Sequence, residues 1–414
     1  MKSTLLLAIA LASFAGEQLH AQNSDMLVRT TLGKYRGMAS AGLALANEAS
    51  ALAANPAGLT YARGVTLALS ADAAIHSYSL LRRNSNGTAF DLNAQKTSAY
   101  FDDAAIALAF GSRFGFGLGY FRKLTPYLDN DRRAITGSVL FHQTTSGSIH
   151  ALSLASGFKL SERIRLGAAL DYNSGTITSA IRGDNHGRET YKWARLENDF
   201  SGLSFQASAL LHTARLRVAL RAATPSKLKV QTRTAISEDR DYAVYFPAYQ
   251  QLDFALPTSI GLGVAFTGNA RWTWAADFET QRFQASPLQV HLYEFGGAPN
   301  WKNANVFRLG LEWLPFKNAN LPLRFGYAHL PQLYASNQAG GEHNNLVRYV
   351  DTKQNRRHLL ALGTSLALRE LIWSFGVEYS FLKWHRELQL ANSVLDDFRE
   401  VQYAIFSTLE YRLH

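Results

Sequence analysis

The feature that most constrains this chain is an alternation of apolar and polar residues at every second position, repeated along nearly its whole length. In 371–381 (LIWSFGVEYSF) Trp373, Phe375, Val377, Tyr379 and Phe381 fall on one face, opposite Ser374, Gly376, Glu378 and Ser380. A period of two is the signature of a strand and not of a helix. The same pattern recurs in 163–173 (RIRLGAALDYN), 271–280 (RWTWAADFET), 306–314 (VFRLGLEWL) and 321–329 (LPLRFGYAH).

What joins these runs is equally regular. Very short links at 111–113, 161–163, 212–214, 267–270 and 369–370 alternate with long polar ones at roughly 78–98, 123–146, 176–196, 224–256, 284–302, 330–354 and 384–398. Tight turns on one side and long loops on the other are the layout of an outer-membrane barrel. Strands are predicted near 65–77, 99–110, 114–122, 147–159, 163–175, 197–211, 214–223, 257–267, 271–283, 303–314, 321–329, 356–368, 371–383 and 399–412, with 134–142 as a further strand or an ordered loop. That makes fourteen, an even number, as closure with both ends of the chain on the periplasmic side requires. The expected fold is therefore all-β, a membrane-spanning 14-stranded antiparallel β-barrel over 64–414. The competing reading of the same alternation is a secreted soluble sheet protein that buries its apolar face.

The N-terminus favours export. Lys2 followed by the apolar run Leu5 to Phe14 and the small-residue site at Leu19-His20-Ala21 reads as a signal peptide over 1–21. Cysteine is absent, so an exported chain needs a stabilising device other than disulfides, and a large hydrogen-bonded sheet supplies one. The formal charge of +10 points, in an exported protein, to anionic lipid head groups and not to nucleic acid. Outer-membrane lipid is the expected surrounding, and the bacterial outer membrane the expected location.

Residues 22–63 carry no alternation and are rich in small side chains. Ala-rich 43–54 favours a helix, Asn55-Pro56 stops it, and Gly58 is placed to turn the chain towards the first strand. A compact small-residue segment ahead of a wide cylinder reads as a hatch inside the barrel.

The stretch KYRGMASAGLALANEASALAANPAGLTYARG, with Asn55, Pro56, Ala57 and Gly58 as its Asn-Pro-Ala-Gly motif, resembles the N-terminus of the FadL-type outer-membrane transport family. TPSK at 224–227 and LPTSIGLGVAF at 256–266 agree with it, while Ala41-Gly42-Leu43 and Asn47-Glu48 depart from the usual pattern. The resemblance implies a hatch-plugged barrel that takes up hydrophobic molecules, most simply long-chain fatty acids, and releases them sideways through a kinked third strand. In 114–121 (FGFGLGYF), Gly115, Gly117 and Gly119 share the inward face and leave space for such an exit; strand curvature explains them equally well. Arg165, Arg308 and Arg324 are candidates to hold a ligand carboxylate or else pair with Asp171, Asp277, Glu279, Glu312 or Glu378. Apolar stretches at 242–257 and 290–301 would receive ligand outside. An aromatic hydrocarbon channel and a PorV-like adaptor in protein secretion are the rival functions. No hydrolase, metal or phosphate-loop motif is present, so neither enzyme, metal nor cofactor is expected.

Overall fold

The computed structural model describes residues 33–84, 89–125, 128–133, 139–185, 192–236, 254–267, 271–285, 303–316, 321–331, 348–350, 356–389 and 394–413. The signal peptide expected at 1–21, the first part of the expected hatch and most of the apolar stretches at 242–257 and 290–301 lie outside them. Fourteen antiparallel strands follow one another: β1 Val65–Asn84, β2 Ala89–Phe110, β3 in two pieces Phe114–Leu124 and Leu128–Arg133, β4 Val139–Lys159, β5 Ile164–Asn185, β6 Lys192–His212 and β7 Leu216–Ala223 with Ser226–Ile236. Then come β8 Phe254–Leu256 with Ser259–Phe266, β9 Trp272–Gln281, β10 Ala304–Trp313, β11 Leu323–Pro331, β12 Arg348–Val350 with Arg356–Leu368, β13 Leu371–Gln389 and β14 Val394–Leu413. Each pairs with the next, and β14 pairs back onto β1 from Leu413↔Val65 to Val394↔Asn84, which closes the cylinder. A closed ladder satisfies every strand from both sides, the only way a sheet can cross hydrocarbon.

The side chains are inside out relative to a soluble protein. Leu154, Leu170, Leu203, Phe205, Leu262, Phe278, Leu362 and Ile405 are exposed, while Asp171, Arg221, Asp277, Glu279, Arg324 and Glu410 are buried. Such a surface is at home in lipid, and the fold places the chain in the outer membrane. Two ring-rich bands lie along the wall. At the tight-turn end Trp272 stacks on Trp313 with ring centres 5.2 Å apart, and Trp373 lies beside Phe375. Four to eight residues further along the strands, Tyr327, His358, Phe381, Tyr379 and Tyr403 make a continuous aromatic row, with the Tyr327 hydroxyl 2.8 Å from His358 Nδ1. Amphipathic rings of this kind sit at the membrane–water boundary.

The strands run further than alternation shows. β1, β2, β4, β5, β13 and β14 continue past the membrane into the stretches read as loops, and residues 139–142 belong to β4. Part of 224–256, read as a loop, carries the second piece of β7 and the first of β8. The breaks at Thr224-Pro225 and Pro257 fall where proline removes a ladder donor.

Inside the cylinder, residues 33–62 pack against the inward faces of the strands. The long helix expected over 43–54 is not formed. The segment is instead a string of tight turns: 3₁₀ turns at Gly33–Met38, Glu48–Ser50 and Pro56–Tyr61, and one α turn at Ala51–Ala54. Nor does Gly58 turn the chain; it lies within a 3₁₀ turn with Ala46 against it, and Gly64, at φ +65°, redirects the backbone into β1. The reason is space. Glycines on inward-facing positions of β3, β5, β8, β10, β11 and β12 receive the segment. A side chain at Gly117 would meet Leu52 at 2.7 Å, one at Gly310 would meet Met38 at 2.7 Å, and Gly37 approaches Gly363 backbone to backbone. Asn55, fully buried, donates from Nδ2 to the Leu43 carbonyl at 3.0 Å and ties the two arms of the segment together.

Two outcomes test this arrangement. Leu170→Arg, on the lipid face near mid-strand, should cost about 2–4 kcal/mol in unfolding from bilayers. Gly326→Val would drive a side chain into the Met38–Ala39 backbone; limited proteolysis should then cut within 33–63 while the barrel stays protected, and an uncut segment would show that the fit is looser than described.

Candidate functional site

On the β3–β10 side the interior is stacked in three levels. Lowest is the small-residue level where the N-terminal segment meets Ala155, Ala169, Ala219, Ala265 and Ala275. Above it runs a belt of charges. Lys123 Nζ lies 3.1 Å from Asp171 Oδ2, Gln206 Nε2 donates to the same oxygen at 2.6 Å, and Arg221 Nε donates to Gln206 Oε1 at 3.0 Å. Arg221 also faces Glu279 at 3.7 Å, which Arg308 binds at 3.0 Å. Asp277 Oδ2 accepts from the amides of Gly42 and Leu43 at 2.8 and 2.9 Å and so fastens the segment to β9. Highest is an apolar cluster built of Leu124, Ile149, Ile177, Phe200, Leu228, Phe254, Leu256, Phe283 and Ala304, with Phe200 and Phe254 rings 4.6 Å apart.

The wall itself changes at this height. The β2–β3 ladder runs only from Phe110↔Phe114 to Asp103↔Phe121, eight pairs. A strand crossing the hydrocarbon layer needs about 9–11 residues. Beyond Asp103 the rest of β2 pairs with β1 alone among the described residues, and the second piece of β3 pairs with β4 alone. A bulge sits on each strand at the point of separation. Register slips past Asp102 on β2 and past Lys123 on β3, so Asp102 and Asp103 are both buried, as are Arg122 and Lys123. Bulges re-aim side chains and end pairing, and here two of them face each other across one seam.

The charges thus turned inward hold the seam to the N-terminal segment. Arg36 bonds Asp72 of β1 at 3.2 Å, Asp102 of β2 at 2.8 Å and Glu378 of β13 through a two-pronged contact. Arg122 bonds the same Asp72 and Asp102 and stacks on Tyr100 at 4.2 Å. Burial opposes the charge on Arg36, but Glu378, Asp72 and Asp102 outweigh it and hold the guanidinium ionised well above the ordinary arginine range. Sequence reasoning passed over this cluster. Its signal was the charged doublets Asp102-Asp103 and Arg122-Lys123, which interrupt a period of two.

The residues singled out beforehand do not gather at one place. Gly115 and Gly117 face inward and are filled by Leu59 and Leu52 of the N-terminal segment, and a side chain at Gly119 would run into the Phe121 ring. They therefore accommodate packing below the seam instead of leaving a gap. Arg308 is paired with Glu279, and Arg324 with Glu312 at 2.7 Å and with Ser365. Arg165 has no hydrogen bond or ion pair with a carboxylate among the described residues and stacks on Tyr61 at 4.2 Å. Of the Asn-Pro-Ala-Gly motif, Ala57 donates its amide to Ser208 at 3.0 Å and Pro56 lies against Gly157. The described residues hold no group of His, Asp and Glu arranged to bind a metal.

No curated protein matches the sequence. Among solved structures, a Pseudomonas aeruginosa FadL homologue is similar at 14% identity and TM-score 0.67, over 95% of this chain and 100% of that one. The P. putida toluene transporter TodX follows at 13% identity and TM-score 0.58, over 93% and 99%. The Ralstonia pickettii toluene transporter TbuX gives 12% and 0.53, over 93% and 99%. At these identities it is the barrel that is shared. The family model described as BamG matches residues 30–321, most of the chain, and on that match the protein belongs to the BamG family, built on a FadL-type barrel.

Proposed function

We propose that the protein is an outer-membrane passage for hydrophobic molecules, with residues 22–63 acting as a hatch and the β2–β3 seam as a side door. The observation that carries this reading is that three features meet: a β2–β3 ladder only eight pairs long, an apolar cluster beginning at Leu124 on the seam strand, and, beneath them, a segment packed on the inner wall. An apolar molecule gains nothing from a wet pore. It gains from greasy side chains within and from a lateral way into lipid. Long-chain fatty acids fit such a route; toluene, the cargo of the similar toluene transporters TodX and TbuX, fits equally. No step in the route calls for a cofactor or for chemistry on the cargo.

A second reading, a PorV-like adaptor that binds a partner protein, draws on a different observation. The apolar cluster side chains are packed on one another and nearly inaccessible, as in a structural core. A passage would need them to part.

The two readings separate experimentally. Leu124→Gln leaves the hatch contacts untouched and buries an amide in the cluster, which should slow uptake of labelled dodecanoate or toluene by on the order of tenfold in cells bearing the variant. Uptake that is the same with wild type, variant and no protein at all, together with a stoichiometric partner in the purified material, would replace the passage by the adaptor.

A further inference from the structure

Every buried cation of the belt described above has its carboxylate, as does Arg357 with Glu400 at 3.0 Å. The tight-turn mouth of the barrel breaks the rule. There the N-terminal segment presents the Tyr61 ring between β5 and β7. The Arg165 guanidinium lies over that ring at 4.2 Å and the Arg217 guanidinium at 5.0 Å. The Tyr61 hydroxyl is 3.0 Å from His212 Nδ1 on the intervening strand β6. Arg165 is more than nine-tenths buried, and its Nε and Nη1 are buried without a hydrogen-bond partner, as is Nε of Arg217. The nearby Glu162 is exposed on the turn and bonds Lys159 at 2.7 Å. Arg63, Arg163 and Arg215 are exposed on the adjoining turns and add to the positive field.

Two guanidiniums over one ring repel each other, and unpaired buried donors are costly. A flat cation stacked on an aromatic face keeps its N–H edge free and fixed in direction, a geometry suited to a two-oxygen anion. We propose that Tyr61, Arg165, Arg217 and His212 form a binding site for the oxyanion head group of an amphiphile, a carboxylate or a phosphate, at the inner mouth of the barrel. Arg165 is the anchor, Arg217 the second arm, and Tyr61 the platform that holds both. The site needs no movement of cargo through the seam, so it stands or falls apart from the passage reading.

The test uses the full mature chain in a neutral maltoside detergent, titrated calorimetrically with decanoate, decyl phosphate and decanol. Wild type should bind at least one of the two anions saturably and show no matching signal with decanol. Preference for decanoate marks a fatty-acid head group, and preference for decyl phosphate a phospholipid one. Arg165→Gln should weaken binding about tenfold, Arg165→Lys less, and Arg165→Gln with Arg217→Gln should abolish it. Retained heat-modifiable mobility in electrophoresis shows that each variant is folded, and Arg217→Gln alone serves if the double variant is not. Equal binding by wild type and variants, equal binding of decanol, or no saturable binding of either anion would overturn the site.

Discussion

Backbone hydrogen bonding in a medium without water governs this molecule. Each unpaired amide or carbonyl in hydrocarbon costs several kcal/mol, so the sheet must close on itself, and β14 closes it onto β1 along its whole length. Closure then dictates the side chains. The outer face must be apolar because it touches lipid, and the inner face can be polar because it does not. The inversion of burial between Leu170 and its neighbour Asp171 is that rule acting on two consecutive residues.

A cylinder of fourteen strands is wide, and width creates the second problem: what to do with the inside. The chain solves it with small residues on both sides of the contact. Alanines and one-turn helices in the N-terminal segment meet glycines and alanines on the wall, so backbone lies almost against backbone. Directional contacts then fix what packing alone would leave free to slide. Asp277 takes two amides of the segment, Ser208 takes the amide of Ala57, and Arg36 reaches three strands at once. Removing one partner from such a buried cluster leaves a bare charge, at a cost of about 3–5 kcal/mol, so segment and wall are bound more tightly than their small contact side chains suggest.

The number of strands and their inner boundaries were legible because lipid imposes alternation on every strand that touches it. Beyond the membrane that pressure ends, and the signal ends with it. Residues 176–185 (TITSAIRGDN) belong to β5 yet read as a loop, because they carry no sustained alternation of apolar and polar residues. The interior segment was legible as compact and small, but its turns were not, since alanine propensity favours a helix while the close seating of Leu52 on Gly117 and of Leu43 and Ala44 on Gly263 is set by the wall. Among the site residues, Arg308 and Arg324 were placed on the correct face; their carboxylate partners are set by strand register, which one sequence does not contain. The bulges at Asp102 and Lys123 left a trace in the charged doublets, and a reading tuned to alternation treats such doublets as noise.

The seam follows from the same physics. Splitting two strands inside a membrane exposes a row of donors and acceptors on each, and the expense explains why the separation begins at paired bulges instead of in mid-ladder. A bulge ends pairing over one residue and sends its charge inward, where a partner waits: Asp102 to Arg36 and Arg122, Lys123 to Asp171. Among the described residues the wall therefore gives up β2–β3 ladder pairs past Asp103 and gains ion pairs in the interior. Because Arg36 belongs to the N-terminal segment, the edges of the seam and the contents of the barrel share one network. Any displacement of that segment must redistribute the charges that hold β2 beside β3, which makes the filling of the cylinder and the integrity of its wall a single energetic unit.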